Sequence, residues 1–418
     1  MRPKCRCRFV TASMTLLVIF MGALVMFRIQ TIQTLQAAVE AKLQPLWRFN
    51  FKDEVTELVL IPNGSGVLVT TRRLTDKGVA NSSLWFIDAH GVIRWRYAAK
   101  KDGVSIGAAV SADGSYIALV ETELGKPGTD EVLAQWVIIL DRDSRELWRH
   151  QVWVDHLWIG ERGERIAAVG EGSIVFFSGS GQILWETEFA VNQEIVYSLL
   201  SKDGRRLLII RDDGLLRIYD DSGAIQWQHW EKYAGGEYIG EYALAASHDL
   251  RYVAASAQPY GTELRFFDTV EGKSWSVRLT QSSGRSEEEL RLPREFMRGL
   301  AVDGEGKAIL SVTRTEGGVR LYRFTREGEL LFRQEVPGKF HLLGVWMQEE
   351  GMWGAVALRS IGSDCRVQLI LINARGEEAK ITDLPDASEI RMTPKLDYVA
   401  GYDAKGNVFL NKLLIEGR

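Results

Sequence analysis

Leu216 to Trp227 reads LRIYDDSGAIQW, a short strand, a tight turn and a second strand that opens onto a tryptophan. Leu216 and Ile218 alternate with Arg217 and Tyr219, the period of two that turns one face of a strand inward. Asp220 can accept a bond from its own backbone two residues on, and Gly223 can take the positive φ that closing such a turn requires. The phrase is a hairpin. Trp227, seven residues after the aspartate, then has a fixed place on the returning strand, where a large flat side chain can seal one layer against the next.

The same seven-residue step recurs along the chain. Asp88, Gly91 and Trp95 fit it fully; Asp141 and Trp148 fit with Ser144 in the glycine position; Ser178, Gly181 and Trp185 fit with serine for aspartate. Asp268 and Trp275 keep the step although Gly272 has moved by one. Two degenerate copies follow, Thr325, Gly328 and Phe332, then Asn373, Gly376 and Lys380, and an unpaired Trp47 stands near the start. The anchors at 47, 95, 148, 185, 227, 275, 332 and 380 are separated by 48, 53, 37, 42, 48, 57 and 48 residues. Periods near 45 with about four strands each are the mark of propeller blades.

Within each period a second turn precedes the anchored phrase. Asn63-Gly64 in ELVLIPNGSGVLVT is a strong hairpin signal. Asp113-Gly114, Asp203-Gly204 and Asp303-Gly304 recur in the same place. Every unit therefore reads as four strands, and no interior helix is required. The last unit, from Lys380 to Arg418, stops before an anchor strand, whereas Pro45-Leu46-Trp47-Arg48-Phe49 has no partner before it. The economical inference is that the N-terminal strand completes the last blade, which removes the open edges that invite aggregation. This counts eight blades over 46–418; seven is the alternative if one degenerate repeat is misread.

With 418 residues, 46% hydrophobic and 25% charged, the chain has ample material for such a ring. The repeat accounts for six of the 13 tryptophans, so a structural role is preferred to sugar binding or stacking. Five of the 51 basic residues and none of the 55 acidic ones lie in the first 28 positions, which leaves 46 against 55 for the rest. A folded part of that sign lacks the basic face that nucleic acid needs, so its partners are expected to be proteins. Cys5, Cys7 and Cys365 build no internal disulfide framework, and Cys5-Arg6-Cys7 supplies only two of the four ligands usual for a structural metal.

Residues 1–8 form a basic tail, and Phe9 to Phe27 are 19 uncharged residues, enough for a helix of about 28 Å. By the positive-inside rule the tail is cytoplasmic and all that follows is outside. A cleaved signal peptide is the rival, but the apolar run is long for one and the small Ala37 and Ala38 lie far beyond its end. Over 28–45, Ile29, Ile32, Leu35, Val39 and Leu43 recur at steps of three and four, which predicts a helical stalk or, with more heptads, a coiled coil.

The longest period carries Thr280 to Arg298, TQSSGRSEEELRLPREFMR. Its Arg285, Glu287, Glu288, Glu289, Arg291 and Arg294 are candidates for partner binding, since a ring holds such loops still; a solvated loop without a partner is the plainer reading. Asp141 and Asp143 suggest a calcium loop only faintly, and their turn accounts for them. No Ser-His-Asp, HExxH or P-loop pattern occurs, and the six histidines are dispersed.

The repeated D-x-x-G-x-x-x-W phrase resembles the tryptophan-docking motif of the quinoprotein-like (PQQ-type) β-propellers over about residues 46 to 418. The resemblance implies that Trp95, Trp148, Trp185, Trp227 and Trp275, with Trp47 and Phe332 as the outlying anchors, pack between neighbouring blades. That superfamily holds quinone-dependent dehydrogenases and also non-enzymatic members such as a periplasmic scaffold of outer-membrane β-barrel assembly. The adjacent-cysteine ring common in the dehydrogenases is missing here. The expectation is a single-pass protein of the bacterial inner membrane, anchored by 9–27 with its propeller in the periplasm. It would act without a cofactor, metal or catalytic residue as a binding scaffold for other envelope proteins. The alternatives are a quinoprotein or other ligand-binding propeller enzyme, and an envelope ligand sensor.

Overall fold

The computed structural model describes residues 40–415, apart from 77, 126–130, 171, 191–192, 231–242, 258–262, 280–294 and 363–365. The expected anchor at 9–27, the three cysteines and the six candidate residues between Arg285 and Arg294 lie outside the described residues. The described strands form eight four-stranded antiparallel sheets. In chain order the blades run over 54–98, 104–151, 156–188, 195–230, 244–278, 295–337 and 340–384; the eighth combines 389–415 with 41–50. The all-β, eight-bladed reading holds.

The closing blade shows why the chain ends must meet. Ala41–Asn50 pairs antiparallel with Asn407–Ile415, from Ala41 opposite Ile415 to Asn50 opposite Asn407, with one bulge between Pro45 and Trp47. Proline has no N–H for a ladder, so it sits at the bulge of an outermost strand. The propeller thus begins at Ala41, and the described end of the segment read as a stalk is strand. Two forces override its helical stripe: the residue before Pro45 is biased towards extended backbone, and Lys412 to Ile415 supply backbone partners that a lone helix end would lack.

The core lies between the sheets. Leu68, Leu84 and Phe86 of the first blade meet Ile106, Ile117, Leu119 and Ile138 of the second, and each junction around the ring repeats the arrangement. Middle strands buried on both faces read as continuous apolar runs, such as Arg206–Arg211, RLLIIR. The outermost strands alternate, and in Ile225–Trp230 only Trp227 and His229 turn inward.

The ring has two unlike ends. Tight turns joining first to second and third to fourth strands crowd one, here the turn end; the remaining connections cross the other, the loop end. In the anchored turns, Asp220 Oδ1 accepts from Ser222 N at 2.9 Å and Ala224 N at 3.0 Å, and Gly223 adopts a φ of 83°. Ser144 takes the same left-handed conformation, φ 64°, without glycine's freedom.

Candidate functional site

Each anchor reaches forward to the next blade. Trp47 Nε1 donates to Asp88 O at 3.0 Å, Trp95 to Arg142 O at 2.7 Å, Trp148 to Gly179 O at 2.9 Å and Trp275 to Arg326 O at 2.6 Å. The glycine of the receiving turn exists for this contact: a Cβ on Gly91 would stand 3.0 Å from Trp47 Cβ and Cγ, and one on Gly181 would stand 2.8 Å from Trp148. Trp185 lies under Gly223 and stacks on Phe176 with centroids 5.2 Å apart. Trp227 packs on Phe267 and His229 instead, because the displaced Gly272 has no neighbour within 4 Å. Phe332 sits under Gly376 without a donor. Lys380 holds the anchor position of the seventh blade, but the eighth has no turn between its third and fourth strands to receive an aromatic, and Lys380 pairs with Glu378 at 3.0 Å.

A second set of contacts was invisible in the linear sequence. The residue after the last buried position of each inner turn lies nearest the axis, and six of these residues join blade to blade through their backbones. Ala112 N donates to Glu161 O, Glu161 N to Lys202 O, Lys202 N to His248 O, His248 N to Gly304 O, Gly304 N to Glu349 O and Glu349 N to Pro394 O, at 2.7–3.1 Å. The belt breaks only where Pro394 and Pro62 have no N–H to give. There Asn63 Nδ2 reaches Asp113 O at 3.3 Å.

Four side chains on this belt converge over the axis. Lys202 Nζ, from the fourth blade, meets Glu349 Oε1, from the seventh, at 2.5 Å, and Glu161 Oε1, from the third, at 3.7 Å. His248 Nδ1 stands 3.3 Å from the same Glu349 oxygen. The sixth blade contributes Gly304, whose Cβ would fall 2.8 Å from His248 Nδ1 and 3.1 Å from Glu349 Cγ, so glycine lets the fifth and seventh blades meet over it. Burial works against the Lys202 charge, yet Glu349 and Glu161 hold its ammonium above the usual range. Lys202 holds the Glu349 carboxyl below its usual range against the effect of burial. Burial, joined by Lys202, pushes His248 down, so its imidazole is neutral at pH 7.

A charged lysine, an ionised glutamate and a neutral histidine 3.3 Å from it offer no activated nucleophile. The arrangement ties blades that are not neighbours. Among the described residues no group of three or more histidine, cysteine, aspartate or glutamate side chains could hold a metal ion. Asp141, the faint calcium candidate, spends Oδ1 on Asp143 N and Arg145 N at 2.9 and 2.8 Å.

The loop end is different. Glu57 Oε2 accepts from Ala108 N at 3.0 Å across the first junction, and burial pushes its carboxyl up, with that bond opposing. Further out, Leu74, Leu133, Trp153 and Trp230 are exposed by 59%, 51%, 56% and 53%. Exposed apolar residues stand at the turn end as well, among them Val270 at 62% and Met352 at 52%; what the loop end adds is two exposed tryptophans.

Closed ring, docked tryptophans and four-stranded units together define a propeller of PQQ-like repeats. The family model described as outer membrane protein assembly factor BamB matches residues 133–342, half of the chain, and the chain belongs to that family. Its fold is similar to the crystal structure of BamB from Moraxella catarrhalis, with 16% identity, a TM-score of 0.58, and coverage of 89% of this chain and 100% of that one. The C-terminal WD40 domain of Sif2 (12% identity, TM-score 0.58, 88% and 98% coverage) and the Dos1 propeller (11%, 0.61, 88% and 95%) share the ring as well. At such identities the likeness speaks for the fold alone. No curated protein matches the sequence significantly.

Proposed function

We propose that this protein is a non-catalytic, protein-binding scaffold of the cell envelope, tethered to the inner membrane by residues 9–27 and presenting its loop end to a partner. The observation that carries the reading is the pair of exposed tryptophans, Trp153 and Trp230, at the loop end. Lys202 and Glu349 pair across the turn end, and the chain enters the ring there, since Ala41 pairs with Ile415 beside the turn that contains Pro394. The loop end then points away from the tether, with Leu133, Trp153 and Trp230 in the open. Large aromatic side chains of this kind are the usual anchors of protein interfaces. Membership of the BamB family supports a role among envelope proteins.

The test is capture of full-length protein from its native membrane through a C-terminal tag, beside two variants. One carries Trp153→Ser with Trp230→Ser; the other exchanges Arg285, Glu288 and Arg294 for alanine. A partner held in stoichiometric amount by the wild type and lost from either variant at unchanged Tm supports the scaffold. A ring that comes out alone in every preparation overturns it.

A further inference from the structure

We propose that the loop end of the junction between the first and second blades holds a binding site for a primary ammonium group carried on a short chain. A cavity of about 320 Å³ opens there, lined by Glu57 and by the hydroxyl residues Thr56, Thr70, Thr71, Ser82 and Ser105. Thr56 and Glu57 come from Glu54–Leu60, the other threonines from Gly66–Thr75 and Ser82 from Gly78–Asp88, all in the first blade; Ser105 comes from Val104–Val110 in the second. The pairing of the first two strands slips between Val55 and Glu57, and a bulge of this kind re-aims the side chains beside it.

The protein's own bonds leave this cavity rich in acceptors. Thr56 Oγ1 donates to Thr70 O at 3.4 Å and Ser82 Oγ donates to Val104 O, so both hydroxyls have spent their hydrogen and keep lone pairs. Thr71 Oγ1 is occupied by Trp85 Nε1 at 2.9 Å. Glu57 Oε2 accepts from Ala108 N at 3.0 Å; among the described residues its Oε1 and the hydroxyls of Thr70 and Ser105 have no hydrogen-bond partner. The carboxylates nearby are matched, Glu54 by Arg72 Nε at 2.9 Å and Glu389 by Arg391 Nη2 at 2.6 Å. Glu57 has no cation of its own. Burial pushes its carboxyl up, the Ala108 bond opposes, and Glu389 and Arg391 act on it in opposite senses.

A partly buried carboxylate with one oxygen unspent calls for a cation that donates hydrogen bonds. An anion would be repelled by Glu57, and a sugar would lack the aromatic face it stacks on, since the one apolar residue of the lining is Ile106. A primary ammonium has three hydrogens and no lone pair, which suits Glu57 Oε1 and the two hydroxyls. Ile106 and the threonine methyls can cover a few methylene groups behind it. The site stands apart from the scaffold reading, because a free amine would occupy it whether or not a protein partner exists.

The experiment titrates the full chain with n-butylammonium, n-butanol, tetramethylammonium and a lysine blocked at both backbone ends, followed by calorimetry and by the NMR shift of the Ile106 methyl groups. Butylammonium is expected to bind in the millimolar range and to shift Ile106. Glu57→Gln, which keeps an acceptor for Ala108 N, is expected to weaken it about tenfold and Ser105→Ala about threefold. Butanol, which has no charge, and tetramethylammonium, which has no hydrogen to donate, are expected not to bind. Tighter binding of the blocked lysine than of butylammonium assigns the site to a lysine of another chain, and binding no tighter assigns it to a free amine; either supports it. No binding of butylammonium, equal binding of butanol or tetramethylammonium, or an unchanged affinity in Glu57→Gln overturns the proposal. Should Glu57→Gln fold poorly, Ser105→Ala and the contrast of butylammonium with butanol on the wild type decide it.

Discussion

The junction that closes the ring and the junction two places before it solve one problem with different chemistry. Where the eighth blade meets the first, Trp47 fills the space under Gly91 and its Nε1 bonds Asp88 O. Where the sixth meets the seventh, the anchor is Phe332, which fills the same space under Gly376 but has no hydrogen to donate. The missing bond is replaced from an unexpected place. Arg323, only 1% exposed, stands where the other blades put Ile218, Phe176 or Phe266. Its guanidinium donates to Gly351 O and, at 3.4 Å, to Met352 O, in the inner turn of the next blade. Asp303 grips that turn from the same side: a Cβ on Gly351 would lie within 2.2 Å of its Oδ2. At this junction filling the gap and bonding the next blade are divided between two residues, whereas Trp185 fills its gap with an unbonded Nε1.

The comparison can be broken most directly at the closing junction. Trp47→Ala removes the filler and the donor together and is expected to cost about 3–5 kcal/mol, read as a fall in the urea midpoint. Arg323→Ala leaves a cavity and the buried Gly351 carbonyl without its donor, with an expected loss of about 2–4 kcal/mol; a loss below about 1 kcal/mol would sink the idea that it stands in for a tryptophan. Phe332→Trp sharpens the contrast in the other direction. It returns a donor to the seventh blade's turn and is expected to stabilise by about 0.5–1.5 kcal/mol, less if Arg323 has already satisfied the junction.

The smallest effect separates the turns by pH. Asp88, Asp220 and Asp268 resist burial through bonds from their own turns, and from Arg94 and Arg251 in the first and last, which hold their carboxyls below the usual value. A lowered folded pKa contributes stability that is present above the unfolded value of about 3.9 and is lost as pH falls through the folded one. As pH falls below about 4, amide protection, corrected for the intrinsic pH dependence of exchange, is expected to drop at these turns and to stay level at the turn of Ser178, whose residues carry no carboxyl. An equal drop at all four would show that the carboxylates are not what hold the turns.

Much of this was legible in the chain. The hairpin phrase, its seven-residue step and the tryptophans that dock forward depend on near neighbours, and local residue types set them. Even the orphaned Trp47 announced that the chain ends share a blade. The stalk was misread at its upper end because a stripe with steps of three and four over two turns says nothing about a partner strand 370 residues away, and Leu43 is opposite Leu413. Arg323 was overlooked although LYRFTREG shows an arginine in an otherwise apolar column. Glu161, Lys202, His248 and Glu349 occupy one column of the aligned inner turns, a signal that lay in the repeat but carried no chemistry until the ring was closed.

By itself the sequence determined the period, the turns and the closure of the ring, since hydrophobic alternation and turn residues act over a few positions and a repeat multiplies them. Only the tertiary structure decided which side chains meet across the axis. Lys202 and Glu349 are 147 residues apart and belong to blades that do not touch as neighbours. What brings them to 2.5 Å is the curvature of the closed ring, a property of all eight blades together that no single stretch of the chain contains.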